Sequence, residues 1–247
     1  MRPRIAIPLP ISTDPEYVER ALPQYEDAIR MAGGEPVRVP LDRTPNELTR
    51  IIESCDGVLL PGSGADVDPA KYNAGKHEKT APADPKRDAV DELLLKHAYE
   101  HRKPILGICY GLQSLNVHCR GSLVQHIPDF LAREDQNVNH AAGRKEKIAH
   151  EVAVDPASKL ASIVGSKVVP VNSSHHQAAD KPGAGLRVVA QSTADGIIEA
   201  LEGTAPDHFV MAVQWHPERS VEDDESSRAI FRALVEASLA KKSAAGK

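Results

Sequence analysis

Pro104-Ile105-Leu106-Gly107-Ile108-Cys109-Tyr110-Gly111-Leu112-Gln113 decides how the chain is read. Ile105 to Ile108 is an apolar run of the kind found in buried parallel strands. Leu112, Leu115 and Asn116 then open a helical run. Strand, sharp turn and helix around one residue between glycines is the setting of a nucleophile elbow, with cysteine in the place serine often takes. The glycines have a physical reason: a turn that pushes one side chain out of the strand top leaves no room for Cβ atoms on its neighbours. At a helix N-terminus a thiolate gains from the dipole, so the Cys109 pKa is expected to fall. Taken alone, the same residues read equally well as a small buried cysteine between packing glycines.

Working outward, short β-branched runs alternate with helical patterns. Arg4 to Leu9 reads as a strand. Val18, Ala21, Leu22, Tyr25, Ala28, Ile29 and Ala32 recur at helical spacing up to Gly33-Gly34, and Pro23 within them predicts a start or kink there. Val37–Val39 is a strand, and Pro45–Ser54 a helix with Thr44 and Glu47 placed for a capping box. Gly57–Leu60 is a buried strand that breaks at Pro61-Gly62-Ser63-Gly64 into a polar loop reaching about Asp84. A helix with Val90, Leu93, Leu94 and Ala98 on one face follows.

The second half is richer in strands: Ile148–Val154, Val168–Val171, Leu186–Gln191, Ile197–Leu201 and Phe209–Gln214. A helix over Asp223–Ala240 closes the chain, and the tail after it is expected to fray. The fold class is therefore α/β: a three-layer, flavodoxin-like sandwich with a mainly parallel central sheet, plus a smaller antiparallel region in the second half. One domain over 1–247 is expected. Ligands of such sheets gather at the carboxyl ends of the strands, where Pro61-Gly62 and Cys109 lie.

Of 247 residues, 41% are hydrophobic and 26% charged, an ordinary globular balance. A net charge of −5 argues against nucleic acid or an anionic membrane as the main partner. No stretch approaches the roughly 20 apolar residues of a membrane span. Pro8 and Pro10 break the first apolar run too soon for a signal peptide, so a cytoplasmic protein is expected. The three cysteines, Cys55, Cys109 and Cys119, suit neither a disulfide framework nor a zinc knuckle.

A thiol nucleophile needs a base. Gln214-Trp215-His216-Pro217-Glu218 follows a strand, and the proline keeps His216 extended. Residues two apart on an extended segment share a side, so Glu218 is placed to fix the His216 ring and stabilise its imidazolium. The bland reading is a surface-turn histidine, weakened here by the spaced carboxylate. The amide of Gly62 or Ser63, together with that of Tyr110, offers donors for an oxyanion. His175 and His176 project to opposite faces of an extended segment and are not expected to share a metal. His118, Cys119 and His126 fit no zinc spacing. Asp66 and Asp68 read as solvated or capping carboxylates, and no phosphate-binding loop motif is present.

Gly-Ile-Cys-Tyr-Gly-Leu-Gln, Val-Asn-Ser-Ser-His-His-Gln and Gln-Trp-His-Pro-Glu, in this order, resemble class I glutamine amidotransferase domains. Within them the chain is most similar to stand-alone γ-glutamyl hydrolases of the γ-glutamyl-γ-aminobutyrate hydrolase type, the peptidase C26 family. The resemblance runs from Ala32-Gly33-Gly34 through Pro61–Pro69 to Asp195–Ala200. It implies a catalytic triad of Cys109, His216 and Glu218, and an oxyanion hole from the backbone of Gly62, Ser63 and Tyr110. It also implies that Gln113, Ser173, Ser174 and His175 hold the substrate.

By that resemblance neither cofactor nor metal is expected. The partners would be a small γ-glutamyl substrate and, for oligomeric state, a homodimer, with no nucleic acid and no membrane. Tyr110, Ser63 and His126 depart from the family pattern and leave the leaving amine open. Two other functions fit the same motifs: a glutaminase subunit feeding ammonia to a separate synthase, and a silent binding module on the same fold.

Overall fold

Capped helices and four- or five-residue apolar strands alternate through the first 118 residues, as the period of the sequence requires. The computed structural model describes residues 2–131 and 138–245. Strand β1 (Arg4–Pro8) leads to α1 (Pro15–Met31), β2 (Glu35–Val39), α2 (Pro45–Glu53), β3 (Gly57–Leu60), α3 (Pro85–His101), β4 (Ile105–Ile108) and α4 (Tyr110–His118). Then come β5 (Leu123–Val124), α5 (Ile127–Phe130), β6 (His150–Val154), α6 (Lys159–Val164) and β7 (Val168–Val171). The chain continues through β8 (Ala178–Ala179), β9 (Leu186–Ser192), β10 (Ile198–Gly203), β11 (Val210–Val213) and α7 (Glu225–Ala245).

The sheet runs in the order β2-β1-β3-β4-β11-β10-β9-β6-β7, with β8 attached to β10 and β5 to β8. From β2 to β11 every pairing is parallel. From β11 through β10, β9 and β6 to β7 every pairing is antiparallel. The antiparallel strands thus continue the same sheet, joined at β11, and do not form a separate patch. The edge strands β2 and β7 carry Pro36 and Pro170. Glu35 donates inward to Pro3 O and Val171 O accepts inward from Ala149, so by alternation both prolines sit at outward-facing backbone positions.

Alternation along the strands builds two cores. Ile5, Ile7, Leu59, Leu106 and Ile108 face Leu22, Tyr25, Ile29, Ile230, Phe231 and Leu234 of α1 and α7. Ala6, Val58, Leu60 and Ile105 face Leu48, Ile52, Val90, Leu94 and Leu115 of α2, α3 and α4. In the first turn of α3, Arg87 is fully buried. Its guanidinium pairs with Asp91 at 2.7 Å and donates to Pro10 O and Pro61 O, each at 2.8 Å. One side chain so pins the turns that leave β1 and β3 at the carboxyl edge of the sheet.

Two helix boundaries differ from expectation. Helix α1 begins at Pro15, ahead of Pro23, because the Asp14 side chain caps it through the Tyr17 amide and Pro15 sits where no N–H is needed. Pro23 lies inside the helix, where burial of Ala21, Leu22 and Tyr25 holds the turn. Helix α7 continues through Ala245, past the tail expected to fray, with Lys242 paired to Asp56 at 2.8 Å. Residues 246 and 247 lie outside the described residues. Strands β5 and β8, two residues each, and α6 carry no readable period. Among the described residues no helix is long and apolar enough to cross a membrane.

The elbow rests on two close backbone approaches. A Cβ on Gly107 would stand 2.7 Å from Gly111 O, and one on Gly111 would overlap the carbonyl of Leu60. Both neighbours are backbone and cannot rotate away. Gly111→Ala is expected to lower stability by about 3 kcal/mol, with Gly75→Ala, where a Cβ meets nothing within 4 Å, changing it by less than about 0.5 kcal/mol. Urea midpoints of the two variants check this.

Candidate active site

Cys109 joins β4 to α4 with φ 54° and ψ −107°, a left-handed conformation that a cysteine adopts only where surrounding structure holds it. Its N–H donates to Val213 O at 2.9 Å, and its carbonyl accepts from the amides of Leu112 and Gln113. Three anchors thus fix the turn. His216 follows β11, and β11 lies beside β4 with Val213 opposite Ile108. Sheet order therefore brings together two residues 107 positions apart in sequence. Gly62, after β3, marks the meeting point: a Cβ there would lie 3.1 Å from His216 Cε1 and 3.7 Å from Cys109 Cβ.

His216 Nδ1 and Glu218 Oε1 are 2.7 Å apart, both side chains buried. The segment is not extended throughout, as its spacing suggests. His216 keeps a non-helical backbone with φ −114° and ψ 80°, and Pro217–Arg219 form a 3-10 turn that swings Glu218 onto the ring. Asn172 holds the backbone of His216 from both sides, donating to its carbonyl at 2.8 Å and accepting from its N–H at 3.0 Å. Nothing in the sequence announces that role, although Asn172 stands inside the quoted Val-Asn-Ser-Ser-His-His-Gln motif.

Burial sets the electrostatics. It pushes the Cys109 thiol up to about 12, against the pull of Arg219 and the Tyr110 amide. The expected lowering by the helix dipole is thus overturned, because the side chain is buried away from the water that would solvate a thiolate. Burial also lowers His216, with Glu218 opposing. Glu218 is held below the usual carboxylate range: burial alone would raise it, but His216 and Arg219 outweigh that. Both shifts favour the uncharged forms, thiol and imidazole.

The donors near the thiol are partly engaged. The Gly62 amide donates to the buried Tyr25 hydroxyl at 3.1 Å. Ser63 Oγ accepts from the Ala65 amide at 3.0 Å. The Tyr110 amide pulls the Cys109 thiol downwards, and the Tyr110 hydroxyl donates to Asp88 at 2.7 Å with the Arg87 guanidinium 4.9 Å over its ring.

The residues assigned to substrate are turned inward. Gln113 Nε2 donates to Gln177 O and Gln214 Oε1. Ser173 Oγ donates to His140 O at 2.7 Å, Ser174 is half-buried, and His175 Nδ1 faces Gln177 O at 2.9 Å. His175 and His176 do diverge: His176 pairs with Asp66, while His175 turns towards Glu199. Asp68 caps the short turn Pro69–Tyr72, and His118 pairs with Glu92.

Arg219 is a further residue without a sequence signal of its own. Its Nε and Nη1 are buried without a hydrogen-bond partner among the described residues, and Nε lies 3.5 Å from Glu218 Oε1. With Glu218 and Arg144 it lines a cavity of about 420 Å³.

A strained cysteine at the carboxyl edge of the parallel strands of a mixed sheet, with a carboxylate-paired histidine on the neighbouring strand end, is the arrangement of class I glutamine amidotransferase-like proteins. The sequence pattern of the peptidase C26 family matches residues 6–218, and the chain belongs to that family. The γ-glutamyl-γ-aminobutyrate hydrolase PuuD of Escherichia coli K12 is 35% identical over 221 residues, covering 87% of this chain and 84% of its own. A Mycobacterium tuberculosis relative that bears the name putative glutamine amidotransferase is 40% identical over 214 residues, 86% of this chain and 66% of its own length, just under two thirds. The crystal structure of a putative GMP synthase component from Thermoplasma acidophilum superposes with a TM-score of 0.65 at 17% identity, over 100% of this chain and 99% of that one, and so shares the fold.

A thiol held near 12 predicts the pH profile of alkylation. Iodoacetamide modification of Cys109, read by peptide mass mapping, is expected to rise about tenfold per pH unit from neutrality to pH 10, with no plateau. A plateau below pH 8 would instead reveal a preformed thiolate–imidazolium pair.

Proposed function

We propose that the chain hydrolyses γ-glutamyl amides through a γ-glutamyl thioester on Cys109. The observation that carries this reading is the left-handed Cys109 elbow one strand away from His216, whose Nδ1 is 2.7 Å from Glu218. The PuuD relative, named for hydrolysis of a γ-glutamyl amide, supports the substrate class. Because the thiol rests neutral, His216 Nε2 takes its proton as the sulfur attacks the side-chain amide carbonyl. Glu218 keeps the Nδ1 proton in place and stabilises the imidazolium that forms.

The oxyanion is received by the Tyr110 amide and by that of Gly62 or Ser63; at Gly62 it replaces the Tyr25 hydroxyl. His216 then protonates the leaving amine, and water deacylates the thioester to release glutamate. Arg219, with two unpartnered buried nitrogens, is the anchor for the substrate α-carboxylate.

A glutaminase subunit that passes ammonia to a synthase is the second reading, favoured by the amidotransferase name of the Mycobacterium relative. The two separate on a panel of γ-glutamyl amines, γ-glutamyl peptides and glutamine, with glutamate release as the readout. The hydrolase reading expects turnover of at least one γ-glutamyl amine or peptide without a partner. Cys109→Ala is expected to lower kcat by about 10⁴-fold or more, and Glu218→Gln by up to about 10⁴-fold with little change in KM. Arg219→Met is expected to raise KM about tenfold or more, as loss of a charge-assisted bond requires. No glutamate from any member of the panel, or full activity in Cys109→Ala, sinks the proposal.

A further inference from the structure

Apart from the Cys109 site, four buried side chains from distant parts of the chain converge: His140, His150 of β6, His175 from the segment after β7, and Glu199 of β10. Their side chains are at most 4% exposed. Glu199 Oε1 lies 3.3 Å from His140 Nδ1, 3.4 Å from His150 Nε2 and 3.6 Å from His175 Nε2. None of those three nitrogens, and neither oxygen of Glu199, has a hydrogen-bond partner among the described residues. Buried polar atoms rarely go unpaired, and here five do so around one point.

The outer ring nitrogens, by contrast, are all supported. His140 Nε2 is 2.9 Å from Asp195 Oδ2, His175 Nδ1 is 2.9 Å from Gln177 O, and His150 Nδ1 is 3.4 Å from Glu151 O. A carbonyl oxygen only accepts, so these contacts favour the Nδ1–H tautomer of His150 and His175, which turns bare lone pairs inward. Lone pairs and a carboxylate aimed at one another repel unless a cation lies between them. Outward bonds to a carboxylate or carbonyl are also what orients the imidazoles of metal sites.

We propose that His140 Nδ1, His150 Nε2, His175 Nε2 and Glu199 bind one divalent transition-metal ion, zinc by preference, in a closed structural site. Zinc bonds of about 2.0–2.1 Å in a tetrahedron set ligand atoms about 3.3–3.4 Å apart, close to the spacing the three histidines keep from Glu199. All four candidate atoms lie within 4.8 Å of one another, so the widest pair closes by up to about 1.4 Å on the ion. Three imidazoles exclude calcium and magnesium, which take oxygen ligands.

The site bears on the neighbouring chemistry through the backbone. Glu199 O accepts from the Gln214 amide two residues before His216, and Asn172, three residues before His175, clamps His216. The ion therefore ties β6 and the Asn172–Gln177 segment to the strand end that carries His216. No short motif links the four ligands, which is why no metal is expected from the sequence. The proposal stands whether or not the chain is a hydrolase.

Metal content of the untreated protein is measured first by mass spectrometry. The chain is then stripped with a chelator, checked for folding by circular dichroism, and titrated with Zn²⁺ and with Co²⁺. One equivalent is expected to bind, with the intense visible bands of tetrahedral Co²⁺, and zinc is expected to raise Tm by several degrees. His150→Gln and Glu199→Gln are expected to lose the equivalent, and Asp195→Asn to weaken it about 10–100-fold. His176→Gln and Cys109→Ala are expected to keep it, which separates this site from the thiol. A folded, stripped protein that takes up no stoichiometric ion, or folded His150→Gln and Glu199→Gln variants that bind like the parent, overturns the proposal. If stripping or substitution unfolds the chain, the untreated protein decides: one equivalent of metal supports the site, trace metal overturns it.

Discussion

The packing of Gly111 against the carbonyl of Leu60 is the constraint on which the rest of the site depends. It lets the first turn of α4 lie directly on β3, closer than any side chain would permit. With α4 bedded there, the chain leaving β4 has one way to turn, and Cys109 takes the left-handed conformation that this turn demands. Three strand ends then converge, because β3, β4 and β11 are neighbours in the sheet. Gly62, Cys109 and His216 meet as a consequence of sheet order, with no long loop needed to carry one to another.

Two guanidinium groups held largely out of water differ in their partners. Arg87 has its carboxylate and two carbonyls, so its burial fixes the turns it touches. Arg219 has no comparable set of partners, and it stands next to the residue that orients the base. An ion held by a full set of partners is a strut. An ion left short of partners in a site is an invitation to a ligand. The same contrast separates the satisfied outer nitrogens of His140 and His175 from their unsatisfied inner ones.

Much of this is legible in the sequence because it is local. Apolar runs that break at Pro61-Gly62 and at Cys109 mark β3 and β4, the Thr44–Glu47 pair marks the start of α2, and Cys109, His216 and Glu218 stand in motifs short enough to read. What is not legible depends on distant pairing. The capture of the Gly62 amide by Tyr25 joins residues 37 apart, and the Asn172 clamp on His216 joins residues 44 apart. The neutral resting state of Cys109 is hidden for a related reason. The helix dipole follows from the local sequence, but the depth of burial that defeats it comes from the assembled sheet and helices. Likewise His175 reads as lining the substrate pocket, since nothing beside it in sequence announces Glu199 as its neighbour.

The two edge strands have a bearing on how copies of the chain meet. A sheet that is open at both ends offers a row of backbone donors and acceptors to any passing strand. Here Pro36 and Pro170 each delete an outward donor from that row. Each border is thereby a poor template for further pairing. At these two borders the fold is thus guarded against growth by strand addition, whatever chain the strand comes from.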